Sequence, residues 1–161
     1  MIVEYDKKYD EQIKDLLVEL QNYLIDIDDW HTQIMSPEYR EKTFEMDMRN
    51  VKNQNGKVFV SVENGVVNGV IIGVVNEKDE IDKLTNDCAK TGNVLELIVS
   101  KEDRGKGTGK KLLEKIEGYF KQINCARINI EVFGPNKRGL EFYEKNDYIV
   151  RDIIVSKRLG E

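Results

Sequence analysis

The stretch that most constrains the fold is residues 94–123, where an apolar run passes through an arginine-led glycine loop into a helical pattern. After the loop, apolar side chains recur at the spacing of one helix face, namely Leu112, Leu113, Ile116, Tyr119, Phe120 and Ile123. The opposite face carries lysines and glutamates. The stretch therefore predicts a strand, a tight turn and an amphipathic helix.

The loop has three glycines at alternate positions, which leave bare backbone where the helix begins. Unpaired N–H groups at a helix N-terminus, together with the positive end of the helix dipole, favour an anion. From Lys101 to Lys111 there are five basic and two acidic residues, whereas the whole chain has a net charge of −5. We expect an anion site formed by Arg104, Gly105, Lys106, Gly107, Thr108, Gly109 and Lys110.

Two other phosphate-binding motifs match this loop poorly. A P-loop has four residues between its glycines and then Lys-Ser or Lys-Thr, but Gly105 and Gly109 enclose three, and Lys110 precedes Lys111. A dinucleotide-binding loop has the pattern G-x-G-x-x-G, which the alternating glycines do not follow. A plain turn that only connects strand and helix remains an alternative.

The loop resembles the acetyl-CoA loop of the GNAT family of N-acetyltransferases, whose pattern is Q/R-x-x-G-x-G/A after an apolar strand. Arg104, Gly107 and Gly109 match it. The resemblance implies that the loop amides hold the pyrophosphate of coenzyme A. It also implies that the preceding strand binds the pantetheine arm through its backbone, with an N–H near Ile98 or Val99 polarising the acetyl carbonyl.

Residues 136–148 resemble a second signature of that family, N-x-x-A-x-x-x-Y-x-K-x-G-F. The matching residues are Asn136, Tyr143 and Lys145, and the departures are Gly139, Asp147 and Tyr148. In the family, the Asn approaches the pantetheine arm and the Tyr hydroxyl lies near the thioester sulfur. The resemblance therefore implies that Asn136, Tyr143 and Lys145 belong to the cofactor site, with Tyr143 as general acid. Taken singly, Asn136 could equally cap its helix and Tyr143 could be a core residue.

The implied activity is acetyl-CoA-dependent N-acetylation of a primary amine by direct attack on the thioester. Glu96, on the strand before the loop, is the candidate general base, because partial burial would raise its pKa toward neutral. Strict alternation places Glu96 on the opposite face from Leu95 and Leu97. A non-catalytic module that binds acetyl-CoA or another acyl-CoA, as a sensor or in an interaction, is the alternative.

The sequence leaves the acceptor open, and both a small-molecule amine and an amine of a protein or peptide fit. His31 and Glu131 compete with Glu96 for the role of base, and Trp30 and Tyr39 are candidates to line the acceptor pocket, although a core role fits the two aromatic side chains as well. Residues 1–50 have a net charge of −7. This charge favours a cationic acceptor only if residues 1–50 line the acceptor cleft, and otherwise it is an ordinary solvated acidic surface.

The order of periodic segments predicts one domain of mixed α/β class spanning residues 1–161. Strands are predicted at 1–5, 57–62, 66–75, from 94 to the loop, at 126–133 and at 148–158. Helices are predicted at 9–24, at 37–51 with Ser36 as N-cap, after the loop, and at 136–145. Asn64-Gly65 predicts a hairpin turn, and 76–93 a connection with one short helical turn. This order resembles the GNAT fold, a mixed, mostly antiparallel sheet with helices on both faces.

Composition limits the other classes of function. Hydrophobic residues make up 40% and charged residues 34% of the chain, and no apolar run has the length of a membrane helix, so we expect a cytoplasmic protein with no membrane partner. The negative charge argues against nucleic acid. Cys88 and Cys125 are expected to be free thiols, and we expect no metal site. A homodimer is left open.

Overall fold

The computed structural model describes residues 1–76, 78–85, 87 and 90–159. Within these residues one sheet contains five strands in spatial order, β1 (Ile2–Glu4), β2 (Lys57–Glu63), β3 (Val66–Asn76), β4 (Thr91–Val99) and β5 (Arg127–Ile130). The α-helices are α1 (Asp10–Asp26), α2 (Tyr39–Asn53), α3 (Glu80–Thr85), α4 (Thr108–Gln122) and α5 (Lys137–Glu144), with 3-10 turns at Lys7–Tyr9 and Lys101–Asp103. Neighbouring strands are antiparallel except β4 and β5, which are parallel.

Helices cover both faces of the sheet, which confirms the predicted mixed α/β fold class. On one face, α1 and α2 pack on the strands through an apolar cluster, which contains Ile13, Leu16, Leu17, Phe44, Val58, Val60, Val67, Val70, Ile72 and Ile98. On the other face, α4 packs so closely that a Cβ atom added at Gly92 would lie 2.6 Å from the Phe120 ring. At Gly73 the corresponding distance is 2.8 Å.

The hairpin between β2 and β3 has the turn that its sequence predicts. Asn64 and Gly65 have φ angles of 51° and 82°. Two successive residues with positive φ are the requirement of the tight turn that matches the twist of paired strands. The adjoining strands then pair from Glu63 and Val66 outward.

Some element boundaries differ from the prediction. Helix α2 begins at Tyr39 rather than at Pro37, and Ser36 accepts a hydrogen bond from the Tyr39 N–H through its backbone carbonyl, at 3.0 Å, rather than through its side chain. The predicted short helical turn in 76–93 is α3. Cys125 is a free thiol, whereas Cys88 lies outside the described residues. None of the helices described is both long and apolar enough to cross a membrane.

The chain divides into two compact units, Met1–Glu131 and Val132–Glu161. The first contains the sheet and helices α1 to α4, and the second contains α5 and the described part of the C-terminal segment. A single domain over residues 1–161 therefore remains a prediction.

The predicted strand at 148–158 is wrong. Residues 148–159 have neither helix nor strand, and large apolar side chains are exposed there, for example Ile154 at 84% and Val155 at 89%. An alternating sequence forms a stable strand only where another strand pairs its backbone. No strand is described in the second unit that could pair with this segment.

Candidate active site

Strand β4 carries Glu96 and has an irregular register with β3. Glu96 lies opposite Ile72, whereas Val94 lies opposite Gly73, so Leu95 is the extra residue of a β-bulge. Since paired residues share a face, Glu96 lies with Ile72 on the face covered by α1 and α2, and Leu95 also packs against the apolar cluster there. The strict alternation predicted for Leu95 and Glu96 therefore fails at the bulge.

The other edge of β4 is only partly paired. Strand β5 pairs with β4 through Thr91–Val94, and within the described residues no strand continues this pairing along Leu95–Val99. This part of β4 is paired with β3 on one side alone. Its free edge can accept another extended group with backbone-like polar atoms.

The register also fixes which residues face this free edge. The Ser100 N–H donates to the Asn68 carbonyl on the β3 side at 3.0 Å. Because successive residues direct their backbone groups to opposite edges of a strand, Ile98 faces β3 as well, whereas Leu97 and Val99 face away from it. Of the two residues predicted to polarise a carbonyl, Val99 rather than Ile98 has its N–H on the free edge.

The glycine loop leads directly into α4. Gly105 and Gly107 have φ angles of 78° and 79°, in the left-handed region that favours glycine. In the described part of the chain, nothing lies within 4 Å of a Cβ atom added at either position. The first turn of α4 contains Thr108, Gly109 and Lys110, whose N–H groups have no acceptor within the helix. The loop thus presents bare backbone and helix-end donors, which fits a pyrophosphate.

Two of the loop cations, Arg104 and Lys106, are held by carboxylates. The Arg104 side chain donates from Nε to the Val99 carbonyl at 3.0 Å and from its NH2 group to Glu19 at 3.3 Å. Glu19 also accepts from the Lys101 N–H at 2.7 Å, which ties the loop to α1. Lys106 pairs with Asp103 at 2.8 Å. Arg104 therefore holds the start of the loop in place. The backbone N–H groups, rather than the paired side chains of Arg104 and Lys106, are left to bind an anion.

Two carboxyl groups from different elements interact on the face covered by α1 and α2. Burial, and then repulsion from Asp47, raise the pKa of the partly buried Glu96 to about 8. Asp47 of α2 is 3% exposed, and burial raises its pKa to about 6. The Asp47 Oδ2 atom is buried and accepts no hydrogen bond from the described residues. A carboxyl group with a pKa near neutrality can exchange protons at working pH, which is the property a general base needs.

Tyr39 lies beside this carboxyl pair. Burial, followed by the charge of Glu96, raises the pKa of Tyr39 to about 12, and a hydrogen bond with Thr43 opposes the rise. The phenol is therefore neutral at physiological pH. Its ring is partly buried and packs against the apolar cluster, so Tyr39 borders both the core and the carboxyl pair.

The loop between α1 and α2 is organised by Asp28. Its carboxylate accepts hydrogen bonds from the N–H groups of Trp30, Thr32 and Gln33 and from the Thr32 hydroxyl, at 2.6–3.0 Å. Burial opposes ionisation, but these hydrogen bonds lower the pKa of Asp28 to about 2. The loop holds Trp30 with its side chain 42% exposed and His31 at a φ of 54°.

Glu131 is exposed at the end of the first compact unit, directly after β5. Within that unit, the structure places Glu96 and Val99 on β4 and the glycine loop at its end. For Trp30, His31 and Glu131, a place in an acceptor site remains a prediction.

The residues of the second signature lie together in the second unit. Asn136 is the N-cap of α5, and its side chain accepts from the Gly139 N–H at 2.9 Å. The Tyr143 ring packs against Phe142 and Tyr148, with centroids 5.3 and 5.8 Å apart. Lys145 follows α5, with Nζ 3.9 Å from a Glu141 oxygen.

Two of the three departures from the family pattern, Gly139 and Asp147, have structural reasons. A Cβ at Gly139 would lie 2.5 Å from the amide nitrogen of Asn136, so the cap geometry favours glycine. Asp147 has a φ of 67°, the left-handed conformation that aspartate tolerates.

Sequence reasoning missed three residues that shape the site. Asp47 had a readable signal, because it stands three residues after Phe44 and four before Val51, on the apolar face of α2. Glu19 and Asp28 had none, since their partners lie in loops whose course the sequence does not give. Among the described residues, no three His, Cys, Asp or Glu side chains are grouped so that they could hold a metal ion.

Comparisons with known proteins identify the family and the fold of this chain. A sequence model of the acetyltransferase (GNAT) family matches residues 24–148. An acetyltransferase from Yersinia pestis (strain Pestoides F) is 30% identical over 116 residues, covering 71% of this chain and 74% of the relative.

Two solved structures share the fold over nearly the whole chain. A mutant of the BH1408 protein from Bacillus halodurans has a TM-score of 0.80 at 18% identity, with 99% of each chain covered. The aminoglycoside N-acetyltransferase AAC(6')-Iy, in complex with CoA, has a TM-score of 0.71 at 12% identity, also with 99% of each chain covered.

Proposed function

This chain belongs to the acetyltransferase (GNAT) family and is an acetyl-CoA-dependent N-acetyltransferase, and from that premise we propose that its acceptor is a primary amine that attacks the thioester directly. The observation that carries the proposal is the position of Glu96. A carboxyl group with a pKa raised to about 8 lies on the strand whose free edge can bind the donor.

Three elements of the first unit supply the donor site in this proposal. The N–H groups of the loop and of the first turn of α4 bind the pyrophosphate of CoA, with Lys110 at the exposed start of the helix adding positive charge. The free edge of β4 binds the pantetheine arm. The Val99 N–H then polarises the acetyl carbonyl, because it is the donor directed to that edge.

The proton transfers are assigned to two groups. Glu96 removes a proton from the amine, either directly or through a water molecule, so that a neutral nitrogen attacks the carbonyl carbon. Tyr143 is proposed to protonate the departing thiolate, and this assignment rests on the sequence signature. Asn136 and Lys145 are proposed to help bind the cofactor on the same ground, although the Asn136 oxygen already caps α5.

A panel of primary amines tests the reaction, with thiol release from acetyl-CoA as the measurement. We expect Glu96→Gln to lower kcat by about 100-fold or more while leaving CoA affinity unchanged. Glu45→Gln, at an exposed position of α2, is the matched control and should leave both quantities unchanged. Tight CoA binding without thiol release for any amine would instead identify a non-catalytic acyl-CoA-binding module.

The tyrosine is tested separately. Tyr143→Phe should lower kcat more than it lowers CoA affinity, because the phenol acts on a leaving group that exists only during turnover. An equal loss in both quantities would assign Tyr143 to packing with Phe142 and Tyr148.

A further inference from the structure

Asp47 is a buried carboxyl group that the chemistry above does not use. It is 3% exposed, and its Oδ2 atom accepts no hydrogen bond from the described residues. Leaving a buried polar atom without a partner is costly, and native structures rarely retain one without a reason. An unpaired acceptor oxygen of this kind suits a ligand that brings its own N–H donors.

The surroundings of Asp47 supply a second carboxyl group and no neutralising cation. Glu96 of β4 is close enough for its repulsion to be felt, and Tyr39 of α2 is close enough to sense both charges. Ile72 of β3, opposite Glu96, is apolar and buried. Burial raises the pKa of Asp47, whereas burial and then the charge of Asp47 raise the pKa of Glu96. No lysine, arginine or histidine among the described residues is a cause of either change. The lysine of α1, Lys14, pairs with Glu11 and Glu41 at 2.8 and 2.6 Å.

We propose that Asp47 and Glu96 form one carboxyl pair that binds the acceptor as an alkylammonium ion, with Glu96 as the base and Asp47 as the second carboxylate that contacts the ammonium group. This inference rests on the proposed function and names its substrate class, which is strongly basic aliphatic primary amines. Two close carboxylates attract a cation with three N–H donors, and the negative charge of Asp47 favours a proton on Glu96.

The step balances without any further reactant. The ammonium nitrogen gives one proton to the Glu96 carboxylate and becomes a neutral amine. The amine forms an N–C bond to the acetyl carbonyl carbon and the C–S bond breaks. The thiolate takes the proton of the Tyr143 hydroxyl, and the second proton of the nitrogen restores that hydroxyl. Glu96 then releases its proton to solvent, so one ammonium and one acetyl-CoA give one amide, one CoA thiol and one proton.

The physical reason for two carboxyl groups is the mismatch between an ordinary carboxylate and an alkylamine. A free glutamate has a pKa of about 4.3 and an alkylammonium like that of lysine about 10.4, so proton transfer between them is strongly uphill. Moving the pKa of the base toward that of the amine reduces this difference. Burial alone does part of this, and a second negative charge adds to it.

The test compares Asp47→Asn with wild type on two acceptors, butylamine, which is protonated at neutral pH, and aniline, which is not. For butylamine, we expect Asp47→Asn to lower kcat/KM at its alkaline plateau by at least about tenfold and to shift the pH of half-maximal rate down by about one to two units. For aniline, we expect a change of less than about twofold. Glu45→Gln should match wild type in every measurement.

A binding measurement separates this inference from the proposed function. Calorimetric titration of the protein–CoA complex with butylammonium at pH 9 needs no turnover, and we expect Asp47→Asn to weaken binding by about tenfold. The double variant Asp47→Asn, Glu96→Gln should bind more weakly still, whereas the affinity for CoA alone stays at the wild-type value. The CoA affinity also reports whether the variants are folded.

Four outcomes decide between the carboxyl pair, a structural role for Asp47 and a failure of the proposed function. An unchanged pH profile and unchanged butylammonium binding in Asp47→Asn overturn the inference, and so does an equal loss for butylamine and aniline, which would make Asp47 merely structural. A shifted profile with selective loss for butylamine supports it. Butylammonium binding that depends on Asp47, in a protein that releases no thiol, overturns the proposed function and supports the carboxyl pair.

Discussion

At the scale of single residues, Glu96 shows why a buried carboxyl group is unfavourable for stability and useful for proton transfer. The same partial burial that disfavours its charged form moves its pKa to about 8. The charge of Asp47, on helix α2, raises the pKa of Glu96 further, so this pKa depends on both residues.

Glu96→Gln should make stability less dependent on pH. The folded-state pKa of Glu96 is raised from its ordinary 4.5 to about 8. Its contribution to stability is therefore complete below about pH 4.5 and lost as the pH rises through 8, because the unfolded chain ionises first. Glutamine keeps the shape without the charge, so we expect the variant to gain roughly 1–3 kcal/mol over wild type at pH 8 and almost nothing at pH 4.

Urea unfolding at the two pH values measures this difference. The exposed Glu45→Gln should change the free energy of unfolding equally at both. A gain for Glu96→Gln that is the same at pH 4 and pH 8 would contradict the raised pKa and point to packing instead.

The identity of the candidate base could be predicted from the sequence, but its neighbours could not. Glu96 stands between apolar residues on the strand before a recognisable loop. Its face depends on the bulge at Leu95, and a bulge inserts one residue without any marker such as glycine or proline. Asp47 lies on the apolar face of α2, and a charged residue at such a position indicates a buried polar site.

At the scale of elements, the proposed anion site in the strand, loop and helix of 94–123 depends on both backbone conformation and side-chain anchoring. Gly105 and Gly107 provide the left-handed turns, while Arg104 and Glu19 hold the loop against α1. Two of the cations expected to face the anion, Arg104 and Lys106, are paired with carboxylates. We therefore expect the backbone conformation of the loop to contribute more to anion binding than the local positive charge does.

Gly107→Ala should therefore weaken CoA binding through the loop backbone. Gly65, in the hairpin between β2 and β3, is a matched control, because both glycines have φ near 80° and neither has a neighbour within 4 Å of a Cβ in the described part of the chain. Each alanine should cost about 1–2 kcal/mol of stability. Only Gly107→Ala should also raise the Kd for CoA, by about tenfold or more.

Thermal unfolding and calorimetric CoA titration of the two variants give the comparison. Equal CoA affinities in Gly107→Ala and Gly65→Ala would mean that the loop does not hold the pyrophosphate.

The contact between α4 and the sheet depends on glycines that are needed for close packing rather than for a turn. Gly92→Ala should lower the free energy of unfolding by about 1–3 kcal/mol, because its Cβ would lie 2.6 Å from the Phe120 ring. Gly118→Ala, on α4 itself, has open space around it among the described residues and should raise stability by up to about 1 kcal/mol. Chemical denaturation measures the free energy of unfolding of both variants, which should change in opposite directions. Destabilisation by both would contradict this packing of α4 on the sheet.

Elements with strong local signals were predictable, and the one that needs a distant partner was not. The Asn64-Gly65 hairpin follows from two residues that accept positive φ. The segment 148–158 has an alternating pattern just as clear, yet a strand is a property of a pair, and no local pattern supplies the second member.

At the scale of the whole molecule, the acidic bias of residues 1–50 is partly balanced on the surface. Lys14 pairs with Glu11 and Glu41, and Arg40 pairs with Glu11, Asp15 and Glu41, with distances of 2.6–3.1 Å across α1 and α2. Such exposed pairs add little stability. They also mean that net charge alone is weak support for a cationic acceptor, whereas the buried Asp47 and Glu96 are specific support.

The C-terminal segment should be the part most sensitive to protease. Residues 149–159 are exposed and have no regular structure, so trypsin should cleave first after Arg151, Lys157 or Arg158. Exposed lysines within helices, such as Lys121 of α4, should be cut later. Mass spectrometry of a short digestion identifies the order, and earlier cleavage in α4 would contradict the exposure of the segment. Protection that grows with protein concentration would indicate a homodimer that covers it.

Strand β4 uses its two kinds of chemical group for different purposes, and this affects how the protein can change over evolution. In the proposed site, the donor meets backbone atoms of Leu97 and Val99, which almost any substitution preserves, whereas the acceptor meets the side chain of Glu96. Mutations along the strand can therefore alter which amine is accepted while the use of acetyl-CoA is inherited unchanged. A lineage built on such a strand can diversify its products without losing its donor.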